Sequence, residues 1–301
     1  MTKKKWAVLL IVTLLLMTFS VTGCAPDTTY SGTLNVVEAS KVGTAYLENP
    51  EVIVIDARGQ EAYDKGHLKG AVCLAPSELV NEQSMLIDQA SFEKVVGGKG
   101  ISADKTIYVY DDNAGVSSSR ILWSFKVYGH DQIMIVNGGA SALVKAGLEI
   151  TKEEPALESV TYTAKKADES LIASYDEVEQ QVENPSDTVK IVDVRSIAEY
   201  EAGYIQGAML YPHTKNLYSD GTFMSSRDIK LFYQDLGLKK EDTIILYCKS
   251  SFRATQTFAL LQEAGFTNVK VYDGAWIEWS SKTDVTVPVE NTAPITTQEG
   301  S

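Results

Sequence analysis

The chain has 301 residues, of which 44% are hydrophobic, and this length and composition suit two globular domains of ordinary size. The formal net charge of −13 argues against a nucleic-acid partner, because an acidic surface repels phosphates. Three cysteines are too few for a disulfide framework, and none lies near a histidine at metal-ligand spacing, so we expect neither a metal nor an organic cofactor.

The amino terminus has the features of an export signal. Three lysines precede an apolar stretch over residues 6–17. Small and polar residues follow, and the segment ends in Val21-Thr22-Gly23-Cys24. These four residues resemble the bacterial lipobox, which implies cleavage after residue 23 and a lipid on Cys24. The interpretation places the protein on the extracytoplasmic side of the cell membrane, held only by its lipid. An ordinary signal peptide and an uncleaved anchor are the alternatives, although a spanning helix needs about 20 apolar residues.

The mature chain is predicted to begin with a short tether and continue into a first domain. Residues 24–33 are small and polar, as in a flexible tether, and residues 34–150 alternate apolar strands with helices. Short, continuous apolar strands between helices are typical of a parallel sheet that is covered on both faces. The predicted elements are a helix over 37–47, strands at 52–56, 71–75 and 106–110, a helix over 118–128 and a strand at 133–137.

A second domain with the same order of elements follows a linker. Residues 151–168 are charged and have no steady period, which indicates the linker, and residues 284–301 form a polar tail. Between them, in residues 169–283, the predicted elements are a helix over 174–182, strands at 190–194, 208–212 and 243–247, a helix over 254–264 and a strand at 269–273.

The two halves are repeats of one another. Asp56, Arg58 and Tyr63 of the first half align without gaps with the second half at an offset of 137. After Tyr110 and Tyr247 the offset falls to 136, so the halves differ by one residue in the loop that follows these tyrosines. A length change confined to one loop marks that loop as the place where the halves differ in chemistry.

This loop carries the candidate nucleophile. Cys248 directly follows the strand 243–247, and the loop CKSSFR leads into the helix. Sites in open parallel sheets form beyond the carboxyl ends of strands, and main-chain N–H groups at a helix start can hold an anion. A thiol in that position, with Lys249 and Arg253 at either end of the loop, is activated as a nucleophile.

At these residues the chain resembles the tandem-domain rhodaneses, proteins similar to thiosulfate sulfurtransferases. The resemblance covers residues 34–283 and implies an α/β fold of two rhodanese-like domains, each a parallel sheet flanked by helices on both faces. Its motifs are DARGQEAYDKGHLKGAV from Asp56, DVRSIAEYEAGYIQGAM from Asp193, YCKSSFRA from Tyr247 and VYDGAWIEW from Val271.

The resemblance also implies a reaction and its residues. The loop cysteine, Cys248, would take a sulfane sulfur from a small anionic donor, with thiosulfate favoured, and pass it to a thiol or to cyanide. Arg195 matches an arginine that lines the substrate pocket in the family. The other residues that would bind the donor or the persulfide form the active-site loop: Lys249, Ser250, Ser251, Phe252 and Arg253.

The first half lacks this chemistry, because Asp111 stands at the cysteine position. We therefore interpret it as an inactive domain that can close one wall of the pocket. Two positions depart from the family pattern. Ser251 replaces a frequent glycine, which bears on the turn at that point, and Tyr204 replaces a histidine retained in the first half as His67, which we expect to be structural.

Several other interpretations stay open on the sequence. Cys248 could be a buried structural thiol, as we expect for Cys73, and Arg195 could simply pair with Glu199 four residues on. A phosphatase loop places five residues between its cysteine and arginine, whereas four separate Cys248 from Arg253. The remaining alternative in another class is a non-catalytic, rhodanese-fold lipoprotein that binds a ligand or senses sulfur.

Overall fold

The computed structural model describes residues 30–49 and 51–283. The predicted signal peptide, Cys24 and the polar tail 284–301 lie outside the described residues. Within the described ranges, no helix is both long enough and apolar enough to cross a membrane.

The first domain is built on a five-stranded sheet in the order β1-β6-β5-β2-β4, in which every pair of neighbours is parallel. A two-stranded antiparallel pair, β3 with β7, lies beside it. The strands are β1 Val36–Glu38, β2 Val52–Asp56, β3 His67–Leu68, β4 Val72–Cys73, β5 Thr106–Tyr110, β6 Ile133–Asn137 and β7 Ile150–Thr151. The helices are α1 Ala39–Glu48, α2 Gln60–Lys65, α3 Gln89–Gly98, α4 Val116–Val127 and α5 Gly139–Lys145, with a 3-10 turn at Pro76–Leu79.

The second domain repeats this plan with the sheet order β10-β9-β11-β12-β8, again parallel throughout. Its strands are β8 Ile172–Ala173, β9 Val189–Asp193, β10 Met209–Leu210, β11 Thr243–Tyr247 and β12 Val269–Tyr272. Its helices are α6 Tyr175–Glu183, α7 Ile197–Glu201, α8 Ser226–Asp235, α9 Phe252–Glu263 and α10 Ala275–Lys282, with 3-10 turns at Glu169–Leu171 and His213–Asn216. The expected fold class, two parallel sheets flanked by helices, is confirmed.

The boundaries of some elements differ from the sequence-based expectations. The predicted helix from residue 37 begins only at Ala39, because Val36–Glu38 pair with β6 as an edge strand. Helices α4 and α9 begin two residues earlier than predicted, directly after Gly115 and Ser251, which adopt the left-handed backbone conformation. The first difference arises from a long-range strand pairing and the second from a tight turn. Neither feature can be predicted from the period of hydrophobic residues.

The two domains share the largest hydrophobic cluster, and each domain also has a smaller cluster of its own. Helix α4 packs against its counterpart α9, and one continuous cluster of buried side chains contains residues of both helices and both sheets. At the edge of this contact the amides of Asn35 and Val36 donate to the carboxylate of Glu263, over 2.7 and 2.8 Å. The loop that follows β11 is therefore held between the two domains.

The segments outside the two sheets also pack on this body. Tyr30 falls within the predicted tether, but it is only 2% exposed, lies edge-on to Phe223 and donates its hydroxyl to the carbonyl of Met224. The tether prediction is therefore wrong for Tyr30. Residues 152–168 contain no helix or strand and lie against the first domain, where Val160 donates its amide to the Gly97 carbonyl over 2.9 Å.

Candidate active site

Cys248 occupies the turn between β11 and α9, at the carboxyl edge of the second sheet. Strand β11 lies in the middle of that sheet, paired with β9 on one side and β12 on the other. Its apolar residues are buried on both faces, so the backbone of Cys248 starts from a rigid support. The side chain of Cys248 is only 1% exposed and touches the shared core.

The first turn of α10 fixes the carbonyl groups of the loop. The amide of Trp276 donates to the Cys248 carbonyl over 3.0 Å, and the amide of Ile277 donates to the Lys249 carbonyl over 3.1 Å. Because the C=O and N–H groups of a trans peptide point in opposite directions, the N–H groups of Lys249 and Ser250 point away from α10.

Three consecutive loop amides are available for a ligand. Those of Lys249, Ser250 and Ser251 have no hydrogen-bond acceptor in the described part of the chain. The amide of Phe252, in contrast, donates to the Ser250 carbonyl over 2.9 Å. The amide of Phe252, one of the predicted binding residues, is therefore not among the amides that lack an acceptor. Partnerless amides in a tight turn are the usual construction of a small anion site.

Arg253 and Glu199 form a bidentate ion pair beside the loop. The two guanidinium nitrogens donate to the two carboxylate oxygens over 2.7 and 2.8 Å. The hydrogen bond with Arg253 lowers the pKa of Glu199 to about 2. The same bond raises the pKa of Arg253, against the opposing effect of burial, and attraction to Cys248 adds to the rise. Arg253 thus brings a permanent positive charge to the sulfur.

His213 faces the same ion pair from a 3-10 turn. Burial lowers the pKa of His213, and the neighbouring charge of Arg253 lowers it further. Its Nδ1 atom is buried and has no hydrogen-bond partner among the described residues. Burial and the neighbouring charge therefore hold the pKa of His213 below its ordinary value.

Arg195 does not pair with Glu199, and that sequence-based alternative is wrong. Its guanidinium donates to both carboxylate oxygens of Asp193, over 2.6 to 2.9 Å, and to the Gly203 carbonyl over 2.6 Å. The guanidinium also stacks 4.5 Å from the centre of the Trp276 ring, and the side chain is buried. These contacts favour a structural role for Arg195 over the predicted contact with substrate.

The first domain contains the same arrangement without a cysteine. Arg58 donates to Asp56 over 2.6 Å and to the Gly66 carbonyl over 2.7 Å, as Arg195 does in the second domain. The hydroxyl of Tyr110 also donates to Asp56 over 2.6 Å. Since the network is complete in the domain that lacks the nucleophile, its function is to fix the carboxyl ends of the central strands.

The equivalent loop of the first domain is filled by its own side chain. The carboxylate of Asp111 accepts from the amides of Asn113, Gly115 and Ser118, over 3.3, 3.0 and 2.9 Å, and from the Ser118 hydroxyl. Burial raises the pKa of Asp111, while the hydrogen bonds from Ser118 and Gly115 act in the opposite direction. This loop is thus an amide ring closed around a built-in carboxyl group.

Sequence reasoning found the cysteine and the loop but missed the partners of Arg253. A signal for them was present in the repeats. Glu199 aligns with Ala62 and His213 with Pro76 at the offset of 137, and Arg253 aligns with Ser117 at 136. All three side chains of this group are therefore specific to the half that contains Cys248.

Several smaller expectations can be compared with the structure. His67 is buried and stacks on Tyr63 with 3.6 Å between ring centres, and its two ring nitrogens lie 3.0 and 3.1 Å from backbone carbonyl oxygens, as expected of a structural residue. Its replacement Tyr204 stacks in the same way on Tyr200. Cys73 is buried, and burial raises the pKa of its thiol to about 11. It forms no disulfide with Cys248.

Comparison with known proteins agrees with this architecture. The model of the rhodanese-like domain matches the chain twice, over residues 43–146 and 174–282. The chain is 35% identical over 249 residues to the "Putative thiosulfate sulfurtransferase" of Saccharopolyspora erythraea, covering 76% of this chain and 86% of the relative. It is 31% identical over 263 residues to the "Sulfur carrier protein TtuD" of Thermus thermophilus, covering 80% and 92%. Among solved structures it is similar to SseA of Escherichia coli, named as a 3-mercaptopyruvate sulfotransferase, with a TM-score of 0.72, 26% identity and coverage of 81% and 99%.

The duplicated fold and the cysteine loop together define the class: the chain belongs to the rhodanese-like domain family. The match covers 86% of the relative named as a putative thiosulfate sulfurtransferase and 92% of the one named as a sulfur carrier protein. The loop around Cys248 is the candidate active site.

Proposed function

We propose that this protein transfers sulfane sulfur from a small anionic donor, thiosulfate, to a thiol or cyanide through a persulfide on Cys248. The observation that carries the proposal is the comparison of its two loops. In the first domain the amide ring holds the carboxylate of Asp111, and in the second the amides of Lys249, Ser250 and Ser251 have no acceptor among the described residues.

The chemistry of the two side chains explains this comparison. In a persulfide the terminal sulfur is separated from Cα by as many bonds as the carboxyl oxygen of an aspartate, and both atoms accept hydrogen bonds. Asp111 therefore resembles, in length and in acceptor atoms, the persulfide that Cys248 would form. Main-chain amides that bind a carboxyl group in one domain, and have no acceptor among the described residues in the other, support an anionic state at Cys248 during turnover.

The first half-reaction loads the carrier. The thiolate of Cys248 attacks the outer sulfur of thiosulfate, a new S–S bond forms, and the bond between the two thiosulfate sulfurs breaks. Sulfite leaves with the electron pair of that bond. Arg253 stabilises the thiolate before attack, and the exposed Lys249 attracts the anionic donor toward an otherwise acidic protein.

The second half-reaction transfers the sulfur from the Cys248 persulfide to the acceptor. A thiolate or cyanide attacks the terminal sulfur of the persulfide, giving a new persulfide or thiocyanate, and Cys248 leaves as a thiolate. No oxidant or reductant is consumed across the cycle. The amides of the loop hold the terminal sulfur between the two steps, and Arg253 stabilises the leaving thiolate.

The test combines mass spectrometry with a matched pair of cysteine variants. Incubation with thiosulfate, followed by removal of excess donor, should add one sulfur atom to the tryptic peptide that contains Cys248, and later cyanide should remove it as thiocyanate. Cys248→Ser should abolish both events. Cys73→Ser, which removes the other buried thiol of the described chain, should leave them intact. Unmodified Cys248 after treatment with thiosulfate and with mercaptopyruvate would favour a non-catalytic binding protein.

We also propose that a lipid on Cys24 anchors the protein on the extracytoplasmic side of the cell membrane. The support is the order of lysines, apolar residues and lipobox-like residues. Because Tyr30 is packed into the body of the protein, only residues 25–29 would separate the lipid from the folded domains. Labelling of cells with a radioactive fatty acid should mark the wild-type protein and not the Cys24→Ala variant, and an unlabelled wild type would contradict the proposal.

A further inference from the structure

A buried arginine of the first domain reaches the active-site loop of the second. Arg120 lies on α4 and is 0% exposed. Its Nη1 atom donates to the hydroxyl of Ser251 and to the carboxylate of Asp273, over 2.6 Å in each case. Ser251 belongs to the Cys248 loop, and Asp273 lies just before α10.

The surroundings of Arg120 are costly for a charge. Its Nε and Nη2 atoms are buried and have no hydrogen-bond partner in the described part of the chain. The guanidinium stacks 4.7 Å from the ring centre of Trp123 and 5.3 Å from that of Phe252. Buried polar groups without partners are rare in native proteins, since desolvation is not repaid by hydrogen bonds. A cation kept under these conditions calls for a role beyond stability.

The conformation of Ser251 supplies that role. Its backbone has φ of +63°, in the left-handed region that disfavours residues with a Cβ atom. The equivalent residue in the first domain is Gly115, which adopts φ of +78°. The side chain of Ser251 accepts from Arg120 and lies 2.8 Å from Asp273 and 2.7 Å from the Ser250 carbonyl, to either of which its hydroxyl can donate. These contacts hold a strained residue in the shape that glycine adopts without help.

The opposite contact across the interface differs in chemistry. Gln256 of α9 aligns with Arg120 at the offset of 136, and its Nε2 atom donates to the Ala114 carbonyl in the loop of the first domain over 2.8 Å. Each domain therefore touches the other's loop from the same helix position. Of these two contacts, only the one to the Cys248 loop uses a charged group, Arg120, and only that contact is made to a side chain, that of the strained residue Ser251.

We propose that Arg120 is a positioning residue for the Cys248 loop: the domain without a nucleophile holds Ser251 in its left-handed conformation and so maintains the arrangement of the amides of Lys249, Ser250 and Ser251 that the reaction needs. The inference rests on the proposed sulfur transfer for its kinetic consequence. It assigns the first domain a direct part in the site, through one side chain. It also explains how a serine can occupy a turn that glycine occupies in the first domain.

The main test compares Arg120→Met with Gln256→Leu, which removes the matching contact on the other side of the interface. Two readouts are used: kcat and KM for thiosulfate with cyanide as acceptor, and the pH profile of alkylation of Cys248 by iodoacetamide. Arg120→Met should lower kcat by about 100-fold, as expected when a reacting group is misplaced by about 1 Å, with a smaller change in KM. Its alkylation profile should move to higher pH, because the amides no longer stabilise the thiolate. Gln256→Leu should match wild type in both readouts.

A rescue variant separates positioning from general destabilisation. In Arg120→Met/Ser251→Gly the turn no longer needs to be held, because glycine adopts it freely, so kcat should recover by about tenfold or more relative to Arg120→Met. If Arg120→Met does not fold, Arg120→Gln removes the charge with a shorter polar side chain, and the same comparison with Gln256→Leu applies. Wild-type values in Arg120→Met or Arg120→Gln, or no recovery in the glycine variant, would overturn the inference. An inactive wild type would instead contradict the proposed function, and the alkylation profiles would still test the role of Arg120.

Discussion

At the scale of single residues, the second domain differs from the first by a small set of side chains around one turn. The buried network of Asp193 and Arg195 is duplicated as Asp56 and Arg58, so it supports the fold in both halves. The ion pair of Arg253 with Glu199 has no such duplicate. The internal repeat thus separates side chains that maintain the sheet from side chains that serve the cysteine.

The pair formed by Glu199 and Arg253 should give a measurable acid dependence of stability. Glu199 has an ordinary pKa of 4.5, which Arg253 lowers to about 2 in the folded protein. The stabilisation is therefore complete above about pH 4.5 and is lost as the pH falls toward 2. We expect Glu199→Gln to lower the free energy of unfolding at pH 7 by about 1 kcal/mol or less, since the pair is partly exposed, and by much less near pH 2.5.

Urea unfolding at the two pH values measures this effect. Glu61→Gln is the matched control, because Glu61 pairs with Lys65 on the exposed surface of α2. Its effect should be small and nearly the same at both pH values. An equal loss of stability at pH 7 and pH 2.5 in Glu199→Gln would show that the carboxylate charge does not contribute.

At the scale of elements, the strand-turn-helix unit determines where the chemistry lies. Strands β5 and β11 are central in their sheets, and each leads through a left-handed residue into α4 or α9. Strands β5 and β11 are short apolar runs, and both lie at their predicted positions. The helix starts were predicted two residues late, because the left-handed turn that begins each helix leaves no hydrophobic pattern.

The turn of the first domain should tolerate no side chain. A Cβ atom on Gly115 would lie 2.3 Å from Cζ and 2.7 Å from Cε1 of Phe223, in the second domain, at a φ of +78°. The left-handed strain alone costs about 1–2 kcal/mol, and displacement of a buried phenylalanine adds to it. We therefore expect Gly115→Ala to reduce the free energy of unfolding by about 2 kcal/mol or more.

The control is Gly98→Ala at the end of α3, where an added Cβ meets no atom within 4 Å. It should be neutral or stabilising by up to about 1 kcal/mol, because alanine favours the helix and restricts the unfolded chain. Both variants can be compared by urea denaturation at neutral pH. A Gly115→Ala protein as stable as Gly98→Ala would mean that the turn and Phe223 rearrange freely.

At the scale of the whole molecule, the two domains form one structural unit. A single cluster of buried side chains runs through both, and polar contacts cross the interface at matching places. The amide of Leu86 donates to Asp273 over 2.7 Å, and its counterpart Phe223 donates to Asn137 over 2.8 Å. Separation of the domains would expose this core and leave those acceptors without their partners.

We therefore expect the two domains to unfold together. Differential scanning calorimetry should show one transition whose calorimetric enthalpy equals the van't Hoff enthalpy, because the largest of the buried clusters contains residues of both halves. Two resolved transitions, or a calorimetric enthalpy about twice the van't Hoff value, would show independent domains. The same experiment with Gly115→Ala should shift the whole transition rather than split it.

The sequence by itself determined the duplication, the order of four strands and two helices in each half, and Cys248 as the residue that follows a central strand. These features depend on the spacing of residues along the chain, which can be measured on the sequence itself. Only the tertiary structure decided that Arg253 pairs with Glu199, 54 positions away, and that Arg120 binds Ser251, 131 positions away. The repeats mark Glu199 and Arg253 as specific to the second half, but only the packing of the layers against each other decides which side chains pair.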